Sequence, residues 1–126
     1  MFGRIALSVL VNNVDDHWRN HAFLHTPTGW RLSPAFDVNP SRQRGVIDAR
    51  AISPSDDPRS RDLRNLLDIA DAFRLRRPDA EQVLQRVAGA VAGWDRVAAG
   101  VGIGGDEREA MRVAFDSPQL DWALGL

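Results

Sequence analysis

Apolar residues recur with a 3.6-residue period at Phe2, Ile5, Ala6, Val9 and Leu10. This predicts a first helix over residues 2–13, interrupted at its end by the turn-favouring pair Asn12-Asn13. Ala22-Phe23-Leu24-His25 and Trp30-Arg31-Leu32 read as two short strands joined across the Pro/Gly turn Thr26-Pro27-Thr28-Gly29, a β-hairpin. From Ser33 to about Pro58 four prolines and many polar residues predict mostly loop, in which only Gly45-Val46-Ile47 and Ala51-Ile52 offer an edge strand. The helical period then returns. Leu63, Leu66, Leu67, Ala70 and Phe73 mark one apolar face, and Leu84, Val87, Ala88, Val91, Trp94 and Ala98 another, predicting helices near 60–75 and 79–99 with Pro78 in the first turn of the second. A further helix starts near Gly105-Asp106-Glu107, carries Ala110, Met111, Val113, Ala114 and Phe115, and should stop at Pro118. The expected fold class is mainly α with a small β-hairpin.

Composition narrows the function. A chain of 126 residues with no repeat and no linker is expected to be a single domain over residues 1–126. Its 16 basic and 17 acidic residues give a net charge of −1, which provides no footprint for direct nucleic-acid binding. The short apolar run at residues 5–11 falls far below the ~20 residues of a membrane span, so no membrane partner is expected. The absence of Cys excludes disulfides, thiolate catalysis and Cys-ligated zinc, and makes a cytoplasmic location the expectation. Every basic residue is Arg, which removes all lysine-dependent chemistry.

The densest polar cluster is Asp15-Asp16-His17-x-x-Asn20, and Ser33-Pro34-Ala35-Phe36-Asp37-Val38-Asn39-Pro40 follows the hairpin. If the hairpin folds back on itself, Asp37 returns close to Asp15 and Asn20. Phosphoryl transfer needs such a set: one carboxylate to accept a hydroxyl proton, and an amide and a second carboxylate to give oxygen ligands to Mg²⁺. The five-position interval from Asp15 to Asn20 equals that between Asp and Asn in a kinase catalytic loop. An Asp/Asn-rich turn that caps helix and hairpin ends would use the same residue types.

The segments from Val11 to Leu24 and from Gly29 to Pro40 resemble the catalytic core of HipA-like serine/threonine kinases, the toxins of HipBA-type toxin–antitoxin modules. Leu63-x-x-Leu66-Leu67-x-x-Ala70 and Gly93-Trp94-x-x-Val97-Ala98 resemble that family's helical C-terminal lobe. The resemblance implies that Asp15 is the catalytic aspartate, that His17 is a motif histidine organising the loop, and that Asn20 and Asp37 are metal ligands. Phe36 stands where the family often has Tyr. A complete member would use ATP and Mg²⁺ to phosphorylate a Ser or Thr hydroxyl. A kinase also needs a nucleotide-binding lobe, yet only about ten residues precede the catalytic loop and no Lys is present. The expectation is therefore a truncated kinase C-terminal domain that binds neither ATP nor Mg²⁺ alone and is inactive as an isolated chain. The alternative is a non-catalytic module or remnant that engages an antitoxin-like or regulatory protein.

A C-lobe without its N-lobe should expose apolar surface, with the apolar face of residues 2–10 a candidate part of it, and so self-associate or bind a nucleotide-binding-lobe partner. Other patterns read as structural. His17, His21 and His25 would form a metal-binding face only on a continuous helix, which Pro27, Gly29 and the β-prone Phe23-Leu24 oppose. Gly100-Val101-Gly102-Ile103-Gly104-Gly105 follows a helix, so it reads as a helix end and turn; a dinucleotide fingerprint would follow a strand. Trp18, Trp30, Trp94 and Trp122 read as core or interface packing, and Arg42, Arg44 and Arg50 as a solvated loop.

Overall fold

The computed structural model describes residues 1–43, 51–54, 56, 57, 59 and 61–126. The first helix, α1 (Phe2–Leu10), buries Phe2, Ile5, Ala6 and Leu10, the face its periodicity marks. It stops three residues before Asn13, and Asn12 adopts a left-handed backbone, φ 51°, which Asn tolerates better than most residues. The Asn13 amide then returns to the Ser8 carbonyl at 2.9 Å and the Asn12 amide to Val9 at 3.1 Å, satisfying carbonyls that the helix end would orphan. A 3₁₀ turn, Trp18–Asn20, leads into β1 (Phe23–Thr26), which pairs antiparallel with β2 (Gly29–Leu32) in the register Phe23↔Leu32 to Thr26↔Gly29. Pro27 and Thr28 form the tip, and Gly29, at φ 118°, holds a conformation closed to other residues. The two strands pack chiefly on one another.

The helical part is built around α3 (Arg77–Ala92), which packs against α1 on one side and α6 (Pro118–Leu124) on another, with α2 (Leu63–Asp68) beside α1. Leu63, Leu66, Leu84 and Ala88 are fully buried there. Burial of each large aliphatic side chain contributes about 1.5–3 kcal/mol before entropy is charged. Asp62 caps α2 by accepting from the Arg64 amide at 2.8 Å, and the Leu63 amide donates to Gln119 Oε1 of α6 at 2.9 Å. Because α1 is covered in this way, its apolar face is core and cannot be a surface for association, contrary to expectation.

Both long helices expected from the sequence are divided. The first becomes α2 and a 3₁₀ turn, Ala70–Phe73, ended by Arg74 at φ 58°. The second breaks at Gly93, beyond which α4 (Trp94–Gly100) buries no residue. A turn with Gly102 at φ 90° leads to α5 (Gly105–Phe115), held to α4 by the stacked Trp94–Phe115 pair at 4.4 Å and by Arg108 donating to Asp95 at 2.8 Å. The glycine-rich run is thus a helix end and turn, as expected. Pro118 ends α5 and also opens α6: Ser117 Oγ accepts from the Leu120 amide at 3.2 Å, with Pro118 in the first turn. Ala51 and Ile52 form no strand, and residues 45–47 lie outside the described residues. Among the described residues no helix is long and apolar enough to cross a membrane.

Candidate functional site

The loop after α1 carries two adjacent aspartates in opposite environments. Asp16 is buried. Its Oδ1 lies 2.8 Å from His21 Nε2, and its Oδ2 accepts from Arg61 Nη1 at 2.9 Å. Arg61 uses Nη2 to donate to the Asn13 carbonyl at 2.6 Å. One guanidinium and one carboxylate therefore grip the loop near its start at Asn13 and its end at His21, with side chains almost wholly withdrawn from water. Asp15, one residue earlier, points outward with its side chain 54 % exposed and His17 Nε2 3.7 Å from its Oδ1, too long for a good hydrogen bond.

Asn20 is buried, and its Nδ2 donates to the Asp15 carbonyl at 3.1 Å. That bond uses the amide nitrogen; its Oδ1 is an acceptor only. Asp37 arrives from β2 with φ 54° and accepts from Asn39 Nδ2 at 2.8 Å, which leaves its carboxylate with further acceptor capacity. Asn20 and Asp37 border one cavity of about 10 Å³, together with Arg4, Ser8, Asn13 and Phe36. Asp15 borders an adjoining cleft of about 350 Å³ with Asn39, Ser41 and Arg42. Asn12 anchors the far wall of that cleft, its Nδ2 donating to the carbonyls of Ser41 at 2.6 Å and Gln43 at 3.0 Å.

The hairpin thus brings Asn20 and Asp37 to one cavity, with Asp15 and His17 on the adjoining side. An amide oxygen and a carboxylate are hard donors of the kind Mg²⁺ takes, and the guanidinium of Arg4 lines the same cavity. Sequence reasoning missed the clamp. Asp16 was visible only as the second acid of a doublet, His21 only as one of three regularly spaced histidines, and nothing local signals Arg61, 45 positions from Asp16. The three histidines do not form a metal face: His21 turns to Asp16 and His25 lies on β1 against Trp30. No group of three or more His, Cys, Asp or Glu side chains that could hold a metal occurs among the described residues.

Two of the four tryptophans pack within the domain and two stand at its surface. Trp94 stacks on Phe115, and Trp122 lies under Arg64, whose Cζ is 4.8 Å from the ring centroid, but Trp18 and Trp30 are 69 % and 72 % exposed. Arg42 is exposed at the cleft, while Arg44 and Arg50 lie outside the described residues.

Comparison with characterised proteins and with solved structures returns no match. A family model described as the HipA-like C-terminal domain matches residues 1–94, a span that holds the loop, the hairpin, Asp37 and the helices through α3. The chain belongs to the HipA-like C-terminal domain family.

Proposed function

We propose that this chain is the metal-holding and hydroxyl-activating part of a HipA-like, ATP- and Mg²⁺-dependent serine/threonine kinase of the toxin–antitoxin type, dependent on a separate nucleotide-binding lobe for activity. The observation that carries this reading is the convergence of Asn20 and Asp37 on one cavity with Asp15 on its exposed flank. Asp15 is the base: its solvent-facing carboxylate accepts the proton of an incoming Ser or Thr hydroxyl. His17, the loop-organising histidine that the resemblance implies, lies beside it. Asn20 Oδ1 and the Asp37 carboxylate would hold Mg²⁺, which when bound with ATP neutralises the phosphate charge. The buried clamp of Asp16, His21 and Arg61 keeps these groups in register, so that their arrangement precedes ligand binding. Mixed with or fused to the nucleotide-binding lobe of a HipA-like kinase, the chain should transfer label from radioactive ATP to Ser or Thr. Asp15→Asn should lower that rate about 10²–10⁴-fold. Transfer that survives Asp15→Asn would refute the assignment.

A second reading, a non-catalytic module that binds an antitoxin-like protein or a nucleotide-binding lobe, draws on the hairpin. Trp18, Phe23, Trp30 and Phe36 are exposed around it, more large apolar surface than an isolated domain usually leaves in water. Under this reading Trp30→Ser weakens association with the added lobe, and Asp15→Asn leaves it unchanged.

A further inference from the structure

We infer that the cavity beneath Asn20 and Asp37 is the seat of one structural water, held by Ser8 and Arg4 of α1. Ser8 is 2 % exposed, and its Oγ has no hydrogen-bond partner among the described residues; the same holds for Arg4 Nη1, also buried. The two residues lie four apart on α1, on the same face, and both line the cavity. A buried hydroxyl and a buried guanidinium N–H left without partners are costly, so native structures supply one. The cavity, about 10 Å³, is the size that admits a single water. Its lining decides the occupant. Arg4 sets a positive charge against any cation seated on this floor, whereas Asp16 and Asp37 set negative charge against any anion. A neutral water meets both: it accepts from Arg4 Nη1 and donates to, or accepts from, Ser8 Oγ. It can also bond the polar groups of the loop, which would tie α1 to the segments carrying Asn20 and Asp37. Asp37 is exposed, and the water's two named partners are Ser8 and Arg4, so the water site does not rest on the metal-binding reading.

A high-resolution crystal structure of the whole chain, grown with bromide in place of chloride, tests this directly. The expected result is one density peak within hydrogen-bond distance of Ser8 Oγ and Arg4 Nη1, with no anomalous signal. A dry cavity, a cavity closed by its side chains, or an anomalous peak from bound bromide would overturn it. The Ser8→Ala variant gives an independent sign. Ala is the better helix former, and removing an unpaired buried hydroxyl is favourable, so without the water the melting temperature should rise. With the water it should fall, by about 3 °C on the usual scaling for a domain of this size.

Discussion

The helical core and the site loop are held together by different physics. Around α3 the contacts are apolar: Leu10, Leu63, Leu66 and Leu84 are fully buried, and few of the cohesive contacts depend on direction. Between Val11 and Gln43 there is little to bury, and the chain is stitched by side chains gripping backbone or charge: Asn12 to Ser41 and Gln43, Asn20 to Asp15, and Arg61 to Asn13 and Asp16. Apolar packing fixes where elements sit but tolerates small shifts. Hydrogen-bonded stitches fix distance and angle, which a group of ligands and a base requires. The molecule uses the first to make a platform and the second to shape the site on it.

The largest effect should follow from breaking the strongest stitch. Arg61→Ala leaves Asp16 buried beside His21 without its guanidinium and should destabilise the chain by about 3–5 kcal/mol, read by urea unfolding. Arg61→Lys should restore only part of this, because a single ammonium cannot reproduce the planar fork that serves both Asp16 and the Asn13 carbonyl. On the apolar side, Leu84→Ala should cost about 2–5 kcal/mol and lower protection from hydrogen exchange throughout the helices. Asn12→Ala is smaller, about 1–2 kcal/mol: it removes two hydrogen bonds and places a less tolerant residue at positive φ. Its hydrogen-exchange signature should concentrate in residues 11–43, which separates a stitch from a core contact.

The smallest effect is expected at Arg76. Its hydrogen bond, with its charge acting in the same direction, holds the Asp79 carboxyl below its ordinary value, so any stabilisation is present at neutral pH and lost as pH falls through the carboxylate range. Arg76 is exposed and Asp79 partly so, and Arg76→Ala should leave the unfolding midpoint unchanged within error, at neutral and at acid pH.

The same division explains what could be read from the sequence. The apolar faces of α1 and α3 follow from periodicity alone, and the hairpin follows from β-prone runs around Pro27 and Gly29. Helix ends were less legible because they depend on backbone conformations that several residues can adopt. Arg74 takes the left-handed position without being Gly or Asn, and Gly93 interrupts a continuous apolar stripe. Ser117-Pro118 carried a start signal as well as a stop, an N-cap followed by a first-turn proline. In the site, Asp15, His17, Asn20 and Asp37 stood out by type and spacing, and the structure brings Asn20 and Asp37 to one cavity. Arg61 as a partner of Asp16 was invisible, since a contact across 45 positions leaves no local pattern.

Under the proposed function, polar stitching presents Asn20 and Asp37 as a pair that holds a divalent ion beside Asp15. The test is to titrate the isotopically labelled chain with Mn²⁺, which takes the same hard oxygen ligands as Mg²⁺, in large excess because the site is weak without ATP phosphates, while following amide NMR signals. The first signals to broaden should be those of Asn20, Asp37 and their neighbours, and Asp37→Asn should abolish this while leaving the rest of the spectrum in place. Broadening led by another acidic segment, such as Asp106-Glu107, or unchanged by Asp37→Asn, would contradict it.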